Sequence, residues 1–191
     1  MSKSNEQTRL DEELLRECNG YMQTETKPDG VYIKRGNMFV NMNNIKRLIE
    51  AGADVNAEDE GGNSPLLYAI WRNSVELTKL LISAGLNVDA KNKSGESLLH
   101  RVINSDIRNV HILIKAGADV NAQDNDGDTP LHKIYDIKDN YKKLGTVELL
   151  ISAGADVNAE NLNGETPLLL LYDFVEIRNL LKEHGAVILK K

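Results

Sequence analysis

The chain has one cysteine, Cys18, in 191 residues, and aromatic residues make up only 5% of it. A single thiol excludes an intramolecular disulfide framework. So few rings, with plentiful Leu, Ile, Val and Ala, suit many small helical interfaces better than one deep aromatic-rich core. Bases are also short: Lys and Arg number 23 against 29 Asp and Glu, a net charge of −6. That balance argues against a nucleic-acid backbone as the main ligand, because phosphate binding is driven by Lys and Arg. No run approaches the roughly 20 apolar residues that span a bilayer. The opening Met-Ser-Lys-Ser-Asn-Glu carries no apolar stretch like a signal segment, so the expected location is the cytoplasm, or a host cell reached by a signal-less route. With 41% hydrophobic and 27% charged residues, the chain has an ordinary folded composition.

What is present is repetition. Gly-Ala-Asp-Val-Asn-Ala begins at Gly52, Gly117 and Gly154, and a variant, Gly-Leu-Asn-Val-Asp-Ala, begins at Gly85. Successive copies lie 33, 32 and 37 residues apart, and a decayed copy follows at Gly185. A second marker keeps the same beat: Gly62-Asn-Ser-Pro-Leu-Leu, Gly95-Glu-Ser-Leu-Leu-His, Gly127-Asp-Thr-Pro-Leu-His and Gly164-Glu-Thr-Pro-Leu-Leu. In the unit from 124 to 158, Thr129 is placed to cap a helix starting at Pro130, with Leu131, Ile134 and Tyr135 recurring at helical spacing. A second helix carries Val147, Leu149, Leu150 and Ile151, and Gly154 closes it in a left-handed conformation. Neither short helix buries its apolar face alone, so neighbouring units must stack.

The two markers at this period resemble the ankyrin repeat family over about residues 40 to 188. The resemblance implies an all-α repeat solenoid of helix-turn-helix units with hairpin-like fingers, acting as a non-enzymatic protein-binding scaffold. Residues 1–39 are expected to form a capping helix with a β-hairpin insertion. A partial first unit at 40–61 then precedes repeats at 62–94, 95–126, 127–163 and 164–188, with a tail at 189–191.

Three segments depart from the period. Leu10, Leu14, Cys18 and Met22 fall four apart, predicting an amphipathic N-terminal helix. Lys27-Pro28-Asp29-Gly30, flanked by β-branched and aromatic residues, predicts a hairpin within 21–36. Either it is inserted into a first repeat or Gly30 opens a degenerate one; the insertion is favoured because Tyr32-Ile-Lys-Arg35 offers no helix cap. The fourth unit is four residues too long, and its excess, 136–143, is expected as a loop between its two helices, either simply solvated or in a secondary contact.

Chemistry is sparse. His100 and His132 occupy equivalent places, and the resemblance implies that such histidines tie neighbouring units by hydrogen bonds. His111 and His184 lack a Cys or His at zinc spacing and are expected on the surface. Cys18 falls on an apolar stripe, where a buried, inert thiol is expected. The glycine turns lack the Gly-Lys-Ser/Thr ending of a phosphate loop. Asp124, Asp126 and Asp128 evoke a calcium loop, but Gly127 and the missing distal glutamate spoil the match. No cofactor, metal or small-molecule substrate is expected.

What remains is surface. The resemblance places partner contacts on finger tips and on the exposed side of first helices, lining a concave groove. In this chain those positions are Glu58, Glu60, Asn63, Trp71 and Arg72; Lys91, Lys93, Glu96, Asn104 and Ser105; Gln123, Asn125, Asp126, Asp128, Asp136 and Ile137; and Glu160, Leu162, Glu165, Asp173 and Phe174. Acids dominate, so the expected partner is a basic segment of another protein, held by an adaptor or inhibitor that is monomeric alone. Trp71, the sole tryptophan, is either the binding anchor or packing for its neighbour's helix. Two other readings are an enzyme with a site in the hairpin or in 136–143, and a self-assembling solenoid. Asn/Lys/Ile-rich wording would suit an intracellular bacterium or a virus, whose ankyrin-like proteins can act on host proteins.

Overall fold

The computed structural model describes residues 4–19, 24–27, 30–33, 41–60, 62–72 and 74–187. The chain divides into two units, Met1–Leu86 and Asn87–Lys191. In the first, α1 (Asn5–Asn19) packs against α2 (Met42–Glu50) and α3 (Pro65–Trp71), and α3 packs against α4 (Val75–Ser83). Leu14, Cys18, Ile45, Leu66, Leu77 and Leu81 make its fully buried centre. Met22, expected on the α1 stripe, lies outside the described residues. Between α1 and α2, β1 (Thr24–Lys27) pairs antiparallel with β2 (Gly30–Ile33), Thr24 opposite Ile33 and Lys27 opposite Gly30.

The second unit runs α5 (Leu98–Val102), α6 (Ile107–Lys115), a 3-10 helix (His132–Asp136), α7 (Asn140–Ser152), α8 (Pro167–Leu170) and α9 (Val175–Glu183). At α2, α4, α6 and α7 the helix start is fixed by a side chain that accepts otherwise orphaned amides. Asn41 accepts from Asn44 N, Ser74 from Leu77 N, Asp106 from Arg108 N, and Asp139 from Tyr141 N and Lys142 N.

Each finger is nucleated by an Asp or Asn whose side chain organises the turn that follows. Asp124 Oδ1 accepts from Asp126 N and Asp128 N, both at 2.9 Å, and Asn161 Oδ1 accepts from Asn163 N and Glu165 N, both at 3.0 Å. Fingers then stack backbone to backbone. Gly127, at φ +76°, sits so near the next finger that a Cβ there would lie 2.8 Å from Leu162 N. Glycine is required twice over, for the left-handed turn and for the approach.

A second ladder joins units at the base of the fingers. Asn121 donates through Nδ2 to Gly154 O at 3.0 Å and accepts at Oδ1 from Asp156 N at 2.7 Å. Asn158 makes the same pair with Gly185 O and Val187 N, at 3.0 and 2.9 Å. In the first unit, α1 reproduces the pattern with two residues: Gln7 Nε2 donates to Gly52 O at 2.9 Å, and Asp11 Oδ1 accepts from Asp54 N at 2.8 Å. Asp89 accepts from Asp119 N at 2.9 Å but, as a carboxylate, cannot donate to Gly117 O.

The histidines form a third tie. In His100, Nδ1 accepts from Ser97 N at 3.1 Å, which leaves Nε2–H to donate to Asp128 O at 2.9 Å. His132 repeats this with Thr129 N and Glu165 O, both at 3.1 Å. Where leucine replaces histidine, at Leu67 and Leu169, the preceding Ser64 and Thr166 hydroxyls are buried with no hydrogen-bond partner among the described residues. His111 and His184 are exposed.

The fourth unit differs from expectation. The segment after Pro130 forms a 3-10 helix over His132–Asp136, with Thr129 Oγ1 at 2.9 Å from His132 Nδ1 as in the equivalent Ser97–His100 pair of α5. Of the three apolar residues at helical spacing, Leu131 and Ile134 are fully buried and Tyr135 is 58% exposed. The four extra residues do not form a loop. They lengthen α7 at its start: it has 13 residues, where α2, α4, α6 and α9 have 9. Ile137, expected on a partner-binding surface, is instead buried at 2% exposure, where the chain turns inward to enter that extra turn.

Two outcomes follow for stability. Asp89→Asn supplies the missing amide donor toward Gly117 O and should stabilise the chain by about 1 kcal/mol in urea unfolding. Burial holds the His100 imidazole below the ordinary histidine range, so the folded chain resists its protonation. The stability this provides is complete above the unfolded-state value of about 6.5 and is lost as pH falls through the lower folded value. His100→Asn should therefore show a smaller drop in urea midpoint between about pH 7 and about pH 5 than the unaltered chain does.

Candidate functional site

In the first unit, α1, the finger at 58–60 and α3 border a hollow of about 370 Å³ lined by Glu12, Leu15, Arg16, Asn19, Glu58, Asp59, Glu60 and Tyr68. The finger is stiff. Asp59 Oδ1 accepts from Asn63 N at 2.8 Å, and Oδ2 accepts from Asn63 Nδ2 at 3.0 Å and from the Tyr68 hydroxyl at 2.5 Å. Burial and then the Asp59 carboxylate push the Tyr68 hydroxyl above its usual value, which keeps it protonated as a donor.

Trp71 ends α3 and is 63% exposed, while Pro65 to Ile70 are all buried. Its ring meets that of Tyr68 edge to face, with centroids 5.5 Å apart at 84°. It therefore rests on the wall of the hollow without filling a core. Glu58 and Glu60 are exposed and Asn63 half-buried. Arg72 is half-buried, burial lowers its pKa, and it lies within electrostatic reach of Cys18. Cys18 is fully buried, and burial, then Glu17, pushes its thiol up to about 12, so no nucleophilic thiolate forms there.

Four carboxylates, Glu12, Glu58, Asp59 and Glu60, thus line this surface against one guanidinium, Arg16, which reaches Glu13 at 4.0 Å. Carboxylates in a hollow walled by Tyr68, on whose ring the exposed Trp71 packs, suit a lysine or arginine side chain, by ion pairing and by attraction to a ring face.

In the second unit much of the expected contact set is engaged in holding fingers together. Lys91 Nζ donates to Gln123 O at 2.8 Å, and Gln123 Nε2 donates to Gly127 O at 3.2 Å and Glu160 O at 3.4 Å. Asn125 Nδ2 donates to Lys93 O at 3.0 Å, and Asp126 O accepts from Leu162 N at 2.9 Å. Glu96 accepts from Asn92, and Glu165 from Asn161, at 2.8 and 3.1 Å. Asp128 accepts from Asn161 Nδ2 at 2.8 Å and shares Lys133 with Asp124, the ammonium lying 2.8 and 2.9 Å from the two carboxylates. Lys133 sits where a cation would be held by the Asp-x-Asp-x-Asp pattern. Among the described residues no group of His, Cys, Asp or Glu is placed to hold a metal ion.

Asn104 is exposed, and its carbonyl accepts from the Lys142 ammonium; Ser105 is half-buried. Lys93, Asp126, Asp136, Glu160, Asp173 and Leu162 are exposed, Leu162 at 79%. Phe174 is half-buried beneath Lys143, whose Nζ stands 4.0 Å from its ring centroid and donates to Tyr135 O at 2.7 Å. Lys142 and Lys143 thus spend their ammoniums on neighbouring structure. The hairpin region, apart from the two paired strands, lies outside the described residues.

The sequence reading missed Glu12, Arg16 and Tyr68. Glu12, Leu15, Arg16 and Asn19 recur at helical spacing beside the Leu14–Cys18 stripe, so they form one flank of α1. That signal was available once α1 was placed against α3.

A family model for ankyrin repeats, three copies long, matches residues 33–124 and 102–191. The chain is 46% identical over 54 residues to the B-cell lymphoma 3 protein homolog of Mus musculus, covering 28% of this chain and 12% of that protein. It is 43% identical over 60 residues to a fem-1 homolog of Drosophila melanogaster, covering 31% and 9%. Over 93 residues it is 30% identical to the human transient receptor potential cation channel subfamily A member 1, covering 47% and 8%. The match therefore spans about a tenth of each relative's length. No helix among the described residues is long and apolar enough to cross a membrane. With its stacked fingers, paired helices and inter-repeat histidines accounted for, and the family model matched over most of its length, the chain belongs to the ankyrin-repeat family of protein-interaction modules.

Proposed function

We propose that the chain is an adaptor or inhibitor that binds a basic segment of a partner protein on the acidic, tryptophan-edged surface of its first unit. The observation that carries this reading is Trp71. It is 63% exposed, braced edge-on by Tyr68, and stands beside a hollow lined by Glu12, Glu58 and Glu60. A large exposed ring costs a monomer apolar exposure, and burying it on a partner recovers that cost with little loss of conformational freedom. The carboxylates select a cationic side chain and speed its approach. Arg72, half-buried at the end of α3 and within electrostatic reach of Cys18, follows Trp71 directly. The exposed Lys93, Asp126, Asp136, Leu162 and Asp173 are available for further contacts on the second unit.

Trp71→Ala should weaken binding of a partner captured from cell lysate by about 2 kcal/mol or more, roughly thirtyfold, with an unchanged circular dichroism spectrum. Charge reversal at Glu58 and Glu60 should weaken it too, and raised salt should slow association. Equal affinity of the Trp71→Ala chain would remove Trp71 from the interface.

A further inference from the structure

The extra turn of α7 creates a second surface in the other unit. By alignment of the repeat glycines Gly154 and Gly185, Val175, the first residue of α9, matches Leu144, so residues 140–143 of α7 extend past the start of α9. Beneath that overhang is a hollow of about 300 Å³ lined by Asn140, Tyr141, Leu144, Phe174, Glu176 and Ile177. On the opposite flank of α7, Gly145 lets α6 approach so closely that a Cβ there would stand 3.3 Å from Ile107 Cδ1.

The floor is apolar and fixed. Ile177 is 2% exposed, and Phe174 is held against the Lys143 ammonium. Tyr141 forms a wall that is itself 92% exposed, more than packing within the chain requires. Glu176 supplies the one carboxylate of the lining, and it is exposed; Asp173, next to Phe174 in sequence, and Asp136, within electrostatic reach of Lys143, are exposed as well. The lysines of the same turn are committed elsewhere, Lys142 to Asn104 O and Lys143 to Tyr135 O.

We propose that this hollow is a second protein-docking site, which takes a large apolar side chain flanked in the partner by lysine or arginine. The volume suits one such side chain, the floor offers it dispersion contacts, and the exposed Glu176 carboxylate in the lining offers an ion pair to a basic flank. The site stands independently of the Trp71 surface.

The test is selection of a random-sequence peptide library, displayed on phage, against the full chain, with counter-selection on Tyr141→Ala/Glu176→Lys. Both substituted side chains are exposed, so the variant should keep its circular dichroism spectrum. Peptides that survive should carry Leu, Met or Phe beside Lys or Arg. They should bind the unaltered chain at least about tenfold more tightly than the variant, and shift amide resonances at 140–144 and 174–177 while leaving the Trp71 indole resonance in place. Failure to enrich any peptide that discriminates the variant, or enrichment of peptides with acidic flanks, would overturn the proposal.

Discussion

The second unit depends on one recurring interaction: an asparagine at the base of a finger that both donates to and accepts from the backbone of the next. Asn121 and Asn158 each close this pair, and the distances barely change between copies. The constraint is geometric. A finger is extended, so its amides and carbonyls have no helix to satisfy them, and the cost of burying them without partners would fall on every repeat. One amide side chain satisfies one donor and one acceptor and sets the spacing between units at the same time. The first unit shows that the chemistry matters more than the residue, since Gln7 and Asp11 on α1 divide the same two bonds between them.

Histidine and lysine add layers at the fingers' other end. His100 and His132 reach a carbonyl of the following finger, and Lys133 ties Asp124 to Asp128, which in turn accepts from Asn161. These ties explain why so many polar side chains that look available in the repeat pattern are not. Lys91, Asn125, Glu96 and Asp128 face the fingers' edges, yet each has a polar atom engaged by a neighbour. A finger tip rich in charge is therefore a poor guide to a binding surface until its internal bonds are assigned.

That distinction marks what could be read from the residues alone. The period, the finger glycines and the histidine positions were legible because each follows from a local requirement: a left-handed turn at Gly127, or a hydrogen bond between fixed neighbours at His132. The helical state of 140–143, expected as part of a loop, was not. Local pattern shows four surplus residues but not whether they extend a helix, and the answer rests on tertiary partners: Asn104 O for Lys142, and Tyr135 O with the Phe174 ring for Lys143. Ile137 was misplaced for the same reason. The acidic flank of α1 was missed because it becomes part of a surface only when α1 lies against α3.

Trp71 and Tyr141 then share a property that separates them from the engaged finger residues. Each is large and exposed, at 63% and 92%; Trp71 packs on Tyr68 of one carboxylate-lined hollow, and Tyr141 lines the other together with Glu176. Each also stands where the periodic bonding gives way to something else: Trp71 at the last residue of α3, with α1 bordering the same hollow, and Tyr141 on the one helix a turn too long. In a stack of near-identical units, stability is a sum of repeated contacts and leaves little room for variation inside the ladder. Side chains free of the ladder are under no such constraint, so a repeat scaffold can acquire a particular partner there without altering the contacts that keep its units together.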